Sequence, residues 1–143
     1  MSAYSKVLVA IDLSEGSRAI AARSLALAGA WQAQLRLLHV IEIVPVEPMS
    51  DALVPVVQID EQAVARARAQ LSQLAGALGL PADCTQVCTG NVKGEILRQA
   101  REYGADLIVL GSRERHGLSI LVNFTEDTVL HGAPCDVLAM RVR

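Results

Sequence analysis

Aromatic residues are nearly missing from this chain, at 3% of 143 residues, while hydrophobic residues make up 52%. A core must therefore be assembled from Val, Leu, Ile and Ala. Charge imbalance is missing too. The formal net charge is −2 and no basic block occurs, which argues against nucleic acid or an anionic membrane as the main partner. No apolar run approaches the ~18 residues of a membrane span. The opening Met-Ser-Ala-Tyr-Ser-Lys leads straight into a strand and lacks a signal-peptide layout. A soluble, cytoplasmic protein is the expectation. Three cysteines are too few for a disulfide framework. Cys84 and Cys88 lie in a strand-like run, so their Cα atoms would be roughly 13 Å apart, too far for a bridge. The spacing is not a usual zinc pattern either. Ordinary core or half-core thiols are expected at Cys84, Cys88 and Cys135, with no metal site.

What is present alternates. Residues 6–11 are a short aliphatic run that suits a strand buried on both faces. Asp12-Leu-Ser-Glu-Gly-Ser follows, with Ser14 placed to cap a helix to about residue 30 and Glu15 in its first turn. Residues 34–40 read as a second strand. Pro45, Pro48 and Pro55 then forbid a regular element over 42–57. The spacing of Ala63, Ala67, Leu71, Leu74 and Leu78 predicts a helix over 60–77, ended by Gly79. Residues 83–88 form a third strand. A helix from the Gly90 turn to about residue 103 is closed by Gly104, and residues 106–110 form a fourth strand. A long loop, a short helix to about residue 131 and a fifth strand over 135–141 complete the chain. This βαβαβαβαβ order argues one domain, 1–143, with an open parallel sheet and helices on both faces.

In such sheets ligands sit beyond the carboxyl ends of the strands. Candidate positions are therefore Asp12, Val40, Gly90 and Gly111 onward. The dinucleotide fingerprint, the P-loop, Gly-x-Ser-x-Gly and a redox Cys-x-x-Cys are all absent. The connection opening at Gly111 is much longer than the ~2–6 residues usual between strand and helix. It carries Arg113, Arg115 and His116.

Three stretches resemble the universal stress protein family. They are Val7-Leu-Val-Ala-Ile-Asp12-Leu-Ser14, then Asp106-Leu-Ile-Val-Leu-Gly111-Ser-Arg-Glu-Arg-His-Gly-Leu118, and the most specific, Val129-Leu-His-Gly-Ala-Pro-Cys-Asp-Val-Leu-Ala-Met-Arg141. The resemblance covers essentially the whole chain. It implies a single Rossmann-like, adenine-nucleotide-hydrolase-like α/β domain with five parallel strands ordered 3-2-1-4-5. It also implies a homodimer through the last strand and a cytoplasmic stress-response role rather than a metabolic activity.

In the family's ATP-binding branch, the strand-one Asp and the residue after strand two hold adenine and ribose. A loop resembling Gly-x-x-Gly, then eight or nine residues, then Gly-Ser/Thr, wraps the phosphates. Asp12, Val40 and Gly111 match. The second glycine is Glu114 here, and the closing pair is Asn123-Phe124, with Thr125 next door. If ATP or AMP binding is retained, the resemblance assigns it to Ala10, Asp12, Val40 and Gly90. Gly111, Arg113, Arg115 and Gly117 would join them, followed by Asn123, Phe124 and Thr125.

The departures have physical consequences. Glu114 adds a Cβ and a negative charge where a phosphate would approach, and Phe124 removes a hydroxyl donor. Asn123 through Glu126 also has capping-box spacing, so Glu126 and Asp127 would put carboxylates where free helix amides favour an anion. Arg113 and Arg115 argue the other way, since either would pair with Glu114 or grip phosphate. Two readings follow: a regulatory module with weakened or lost nucleotide binding, and an ATP-binding member using Asp12, Val40, Gly111, Arg113 and Thr125, with slow hydrolysis. No nucleophile–base pair supports a conventional enzyme. His39 reads as a satisfied sheet histidine, and Trp31 as packing. His131 complements a helix end. In the last strand, Leu138, Met140 and Val142 alternate with Ala139, Arg141 and Arg143, and an unpaired edge would be covered by a second copy.

Overall fold

The computed structural model describes residues 3–43, 60–112, 129 and 131–141. Lys6–Ala10 forms β1, whose middle three residues are fully buried. Gln34–Glu42 is β2, Thr85–Gly90 is β3, Leu107–Ser112 is β4 and Asp136–Arg141 is β5. All pair in parallel, in the order β3-β2-β1-β4-β5. The sheet order implied by the resemblance is the one found. Helices α1 (Ser17–Trp31), α2 (Glu61–Ala77) and α3 (Val92–Tyr103) supply the connections, and Val129, His131 and Gly132 are also helical.

Strand alternation sorts the core into two layers. Val7, Val9, Leu35, Leu37, Leu107 and Val109 point to the face covered by Ile20, Ala21 and Ala28 of α1 and by Leu71 and Ala75 of α2. Leu8, Leu38, Ile108 and Leu110 point to the opposite face, against Ile96 and Ala100 of α3 and Val129. With almost no aromatics the layers are aliphatic, as composition requires. Trp31 packs at the rim of the first layer, edge-on to Tyr4 with ring centroids 4.8 Å apart.

Several boundaries differ from expectation. Helix α1 begins at Ser17, not at Ser14, and has no side-chain cap. The Asp12 carboxylate accepts from the Ser14 amide and from both serine hydroxyls, a local turn that competes with the first helical turn. Glu15 consequently lies before the helix rather than in it. Strand β2 continues two residues past Val40 because β3 pairs with it as far as Gly90, and the Ile43 amide still reaches the Gly90 carbonyl at 3.1 Å. Ala82–Cys84 is a 3-10 turn, so Cys84 precedes β3 instead of lying in it. Asp60 caps α2 through the Gln62 and Ala63 amides, and Asn91 caps α3 through the Gly94 amide at 2.9 Å.

The amino edge of the sheet is tied by one carboxylate. Asp106 accepts from the Ser5 amide at 2.7 Å, the Ser5 hydroxyl at 2.9 Å and the Lys6 amide at 2.9 Å. Burial alone would raise its pKa. The Ser5 and Lys6 hydrogen bonds outweigh that and hold it below the ordinary carboxylate value. Its stabilisation is therefore present above the unfolded carboxylate pKa of about 3.9 and is lost as pH falls through the lower folded value. Asp106→Asn is expected to cost about 1 kcal/mol near neutrality. The wild-type advantage should shrink in urea melts as pH falls below the ordinary carboxylate value; an equal gap at neutral and strongly acidic pH would contradict this role.

Candidate site at the carboxyl edge of the sheet

The carboxyl ends of β1, β2, β3 and β4 converge on one edge. Ala10 is in register with Leu38 on one side and Leu110 on the other. Gly111 lies one residue beyond that row and Val40 two beyond it. Gly90 faces Glu42. The structure thus brings Ala10, Asp12, Val40, Gly90 and Gly111 to the same edge. Arg113, Arg115, Gly117, Asn123, Phe124 and Thr125 lie outside the described residues, as do Glu114, His116, Glu126 and Asp127.

Asp12 follows Ile11, the buried residue just past the end of β1. Its Oδ1 accepts from the Ser14 amide at 3.0 Å and the Ser17 hydroxyl at 3.0 Å, as well as from the Ser14 hydroxyl. The turn forces Leu13 to a φ of +60°, a region that non-glycine residues seldom occupy. The carboxylate is thereby held by its own chain at the start of α1. His39 lies 2.7 Å through Nδ1 from the Ile11 carbonyl. A carbonyl only accepts, so Nδ1 carries the proton. This is the satisfied sheet histidine expected from its strand, and it pins the end of β1 to β2.

Val40 lies inside β2, not after it. Ala10, Val40 and Cys88 are half-buried against the second layer of the core, and Val40 pairs in register with Cys88. Cys84, Cys88 and Cys135 are all free and half-buried. Burial, reinforced by a hydrogen bond to the Glu95 carboxylate, pushes the Cys88 thiol up to about 11, so it stays protonated and unreactive near neutrality. No cluster of His, Cys, Asp or Glu among the described residues is able to hold a metal.

Glu95 was not legible as a site residue. It sits in the first turn of α3, where Arg98 grips it with Nη2–Oε2 at 2.6 Å and Nε within 3.2 Å of both oxygens. Arg98 also holds Glu102 at 2.8 Å. These contacts, above all with Arg98, keep the Glu95 carboxyl below its ordinary value. Gly90 makes room for it. Its φ is +147°, and a Cβ there would lie 3.0 Å from Glu95 Cγ. The Glu95–Arg98–Glu102 spacing is a common surface ion-pair pattern, which does not mark a strand-end contact in advance.

The fold defines a class: an open, doubly wound α/β domain, a build in which ligands generally sit at the carboxyl ends of the strands. Residues 3–141 match the model of the Universal stress protein family. The chain belongs to the universal stress protein family. It is 35% identical over 144 residues to Universal stress protein A homolog 2 of Coxiella burnetii (strain RSA 493 / Nine Mile phase I), covering 100% of this chain and 99% of that protein. The structure of universal stress protein UspA from Lactobacillus plantarum superposes with a TM-score of 0.68 at 25% identity, over 99% of this chain and 100% of that one. A crystal structure of a universal stress protein in complex with cAMP shares the fold, with a TM-score of 0.63 at 21% identity over 99% and 100% of the two chains.

Proposed function

We propose that this chain is a homodimeric stress-response module that binds and regulates rather than catalyses, with a weakened nucleotide site. The carrying observation is the chain after Gly111. Where nucleotide-binding relatives resemble Gly-x-x-Gly followed by Gly-Ser/Thr, it places Glu114 and then Asn123-Phe124. The Asp12 geometry points the same way, because a carboxylate already receiving three donors from Ser14 and Ser17 has less to offer a ribose. The site residues carried into this reading are Ala10, Asp12, Val40, Gly90 and Gly111, with Arg113, Arg115, Gly117, Asn123, Phe124 and Thr125 from the following loop. The domain is taken as 1–143, the location as cytoplasmic. No helix among the described residues is long and apolar enough to cross a membrane.

A second reading keeps adenine-nucleotide binding, with slow ATP hydrolysis. It is favoured by Arg113 and Arg115, which would offset Glu114, and by the cAMP held by a relative of the same fold.

The dimer reading rests on β5. It pairs on one side with β4 and is the last strand in the sheet order, and no proline interrupts Asp136–Arg141. Antiparallel pairing with a second copy would satisfy its outer row of amides and carbonyls. Ala139 is exposed, so Ala139→Lys should leave the fold intact and place like charges across a two-fold contact. Sedimentation equilibrium is expected to find a dimer for the natural chain and a predominantly monomeric variant. A dimer unmoved by the substitution would sink the β5 interface.

A further inference from the structure

Lys6, Arg36 and Gln86 come together near the amino edge of the sheet, away from the edge that carries Asp12 and Gly111. Register fixes this. Leu8 pairs with Arg36 and Leu38 with Gln86. Strand alternation therefore puts Lys6, Arg36 and Gln86 on the face that Leu8 and Leu38 present to α3. Tyr103, the last residue of α3, meets two of them. Its ring centroid lies 4.2 Å from the Arg36 guanidinium carbon and 5.4 Å from Lys6 Nζ. Lys6 Nζ also donates to the Tyr103 carbonyl at 3.2 Å, a helix C-terminal group that favours a cation. All four residues are half-buried.

Arg36 is held in place but scarcely satisfied. A guanidinium carries a rigid planar fork of N–H donors. Among the described residues its hydrogen bonding is one long contact, from Nη1 to Gln86 Oε1 at 3.5 Å. No carboxylate among them forms an ion pair with Arg36 or Lys6. Gln86 turns its oxygen to Arg36, because a guanidinium only donates, and its amide nitrogen is left as a further donor. Two carboxylates flank this corner. Asp106 spends both oxygens on Ser5 and the Lys6 amide, and Asp83 is exposed in the turn before β3. Their charges offset those of the two cations at longer range, so the corner suits an anion of single charge better than a doubly charged phosphate.

We infer that Arg36, Gln86 and Lys6 form a second binding site, at the amino edge of the sheet, for a singly charged carboxylate. Arg36 grips both carboxylate oxygens with its fork, Gln86 adds an N–H and Lys6 a point charge. Tyr103 is a positioning residue that holds the guanidinium from one side. The ligand carboxylate belongs to a small acid or to the end of a peptide, and the chemistry of the grip is the same. The inference does not depend on nucleotide binding at the opposite edge.

The test titrates acetate, N-acetylglycine, its neutral amide and inorganic phosphate into the full chain at constant ionic strength. Binding is read by NMR on the backbone amides of Arg36, Gln86 and Tyr103. Acetate or N-acetylglycine is expected to saturate with a Kd of about 10 mM or below, and the neutral amide to leave these signals unmoved. Tighter binding of N-acetylglycine than of acetate assigns the site to a peptide end, and equal binding assigns it to small acids. Arg36→Lys keeps the charge but removes the fork, and should weaken binding about fivefold or more. Tyr103→Phe keeps the ring and should preserve binding. Unchanged amide signals elsewhere show that each variant is folded. Absence of saturation by either carboxylate overturns the inference, as does phosphate binding more tightly than both. Equal affinity in the natural chain and Arg36→Lys also overturns it, since charge alone would then account for the contact.

Discussion

ATP with Mg²⁺ is expected to bind the Glu114→Gly/Asn123→Gly/Phe124→Ser variant about 100-fold more tightly than the natural chain. The expectation follows from charge and backbone size. Two unit charges ~4 Å apart repel by about 4 kcal/mol at an effective dielectric near 20, and salt screening reduces the exposed part of that. Relief of about 2.7 kcal/mol corresponds to the hundredfold change. Glycine at 114 also removes the Cβ that keeps backbone amides from a phosphate, and serine at 124 restores a hydroxyl donor. Calorimetric titration of the two proteins side by side decides the matter. Micromolar binding by the natural chain would refute the weakened-site reading and mean that Arg113 and Arg115 compensate. Silence from both proteins would clear the loop of responsibility and leave the proposed role resting on the dimer edge.

Leu8→Ala is expected to be the most damaging single truncation. Leu8 is fully buried in β1, which has strands on both sides and helices on both faces. It packs in the layer containing Leu38, Ile96, Ile108 and Leu110. Strand neighbours and α3 hold the surrounding aliphatic side chains in place, so the cavity should persist. Buried Leu→Ala changes cost about 3–4 kcal/mol when the site collapses poorly, a large part of the roughly 5–15 kcal/mol that holds a domain together. For a chain of this length that lowers the melting temperature by about 10 °C. Urea melts should show a lower midpoint with an unchanged slope. Val40→Ala, at the half-buried strand end, should cost about half as much. A Leu8→Ala loss below about 1 kcal/mol would contradict the tight packing of this layer.

The strands were legible because buried parallel strands are short aliphatic runs. Val7, Val9, Ile108 and Val109 announce themselves without any knowledge of their neighbours. Helix ends were legible where short-range sequence marks them: α2 was expected from about residue 60 and α3 to close at Gly104, and the structure agrees. Local reasoning failed at Ser14, where two local devices compete. A serine can cap a helix, and an aspartate two residues earlier can take that serine into its own turn; the carboxylate, with its stronger charge-assisted bonds, prevailed. The end of β2 was misplaced for a different reason. Strand length is decided by the partner, and β3 keeps pairing to Gly90.

The sequence by itself determined the alternation of elements, the aliphatic character of both core layers and, through its motifs, membership of a stress-protein family. Those depend on composition, periodicity and short-range patterns, which the chain carries locally. Tertiary structure alone decided what meets across the chain. Asp106 is spent on Ser5, 101 residues away, and Tyr4 on Asp136, 132 residues away. Cys88, Gly90 and Glu95 close on one another beside Val40 only when β3 lies in register with β2. Such contacts are set by strand pairing and by which face a helix covers, and a one-residue shift of β3 against β2 would send Cys88 to the face opposite Val40.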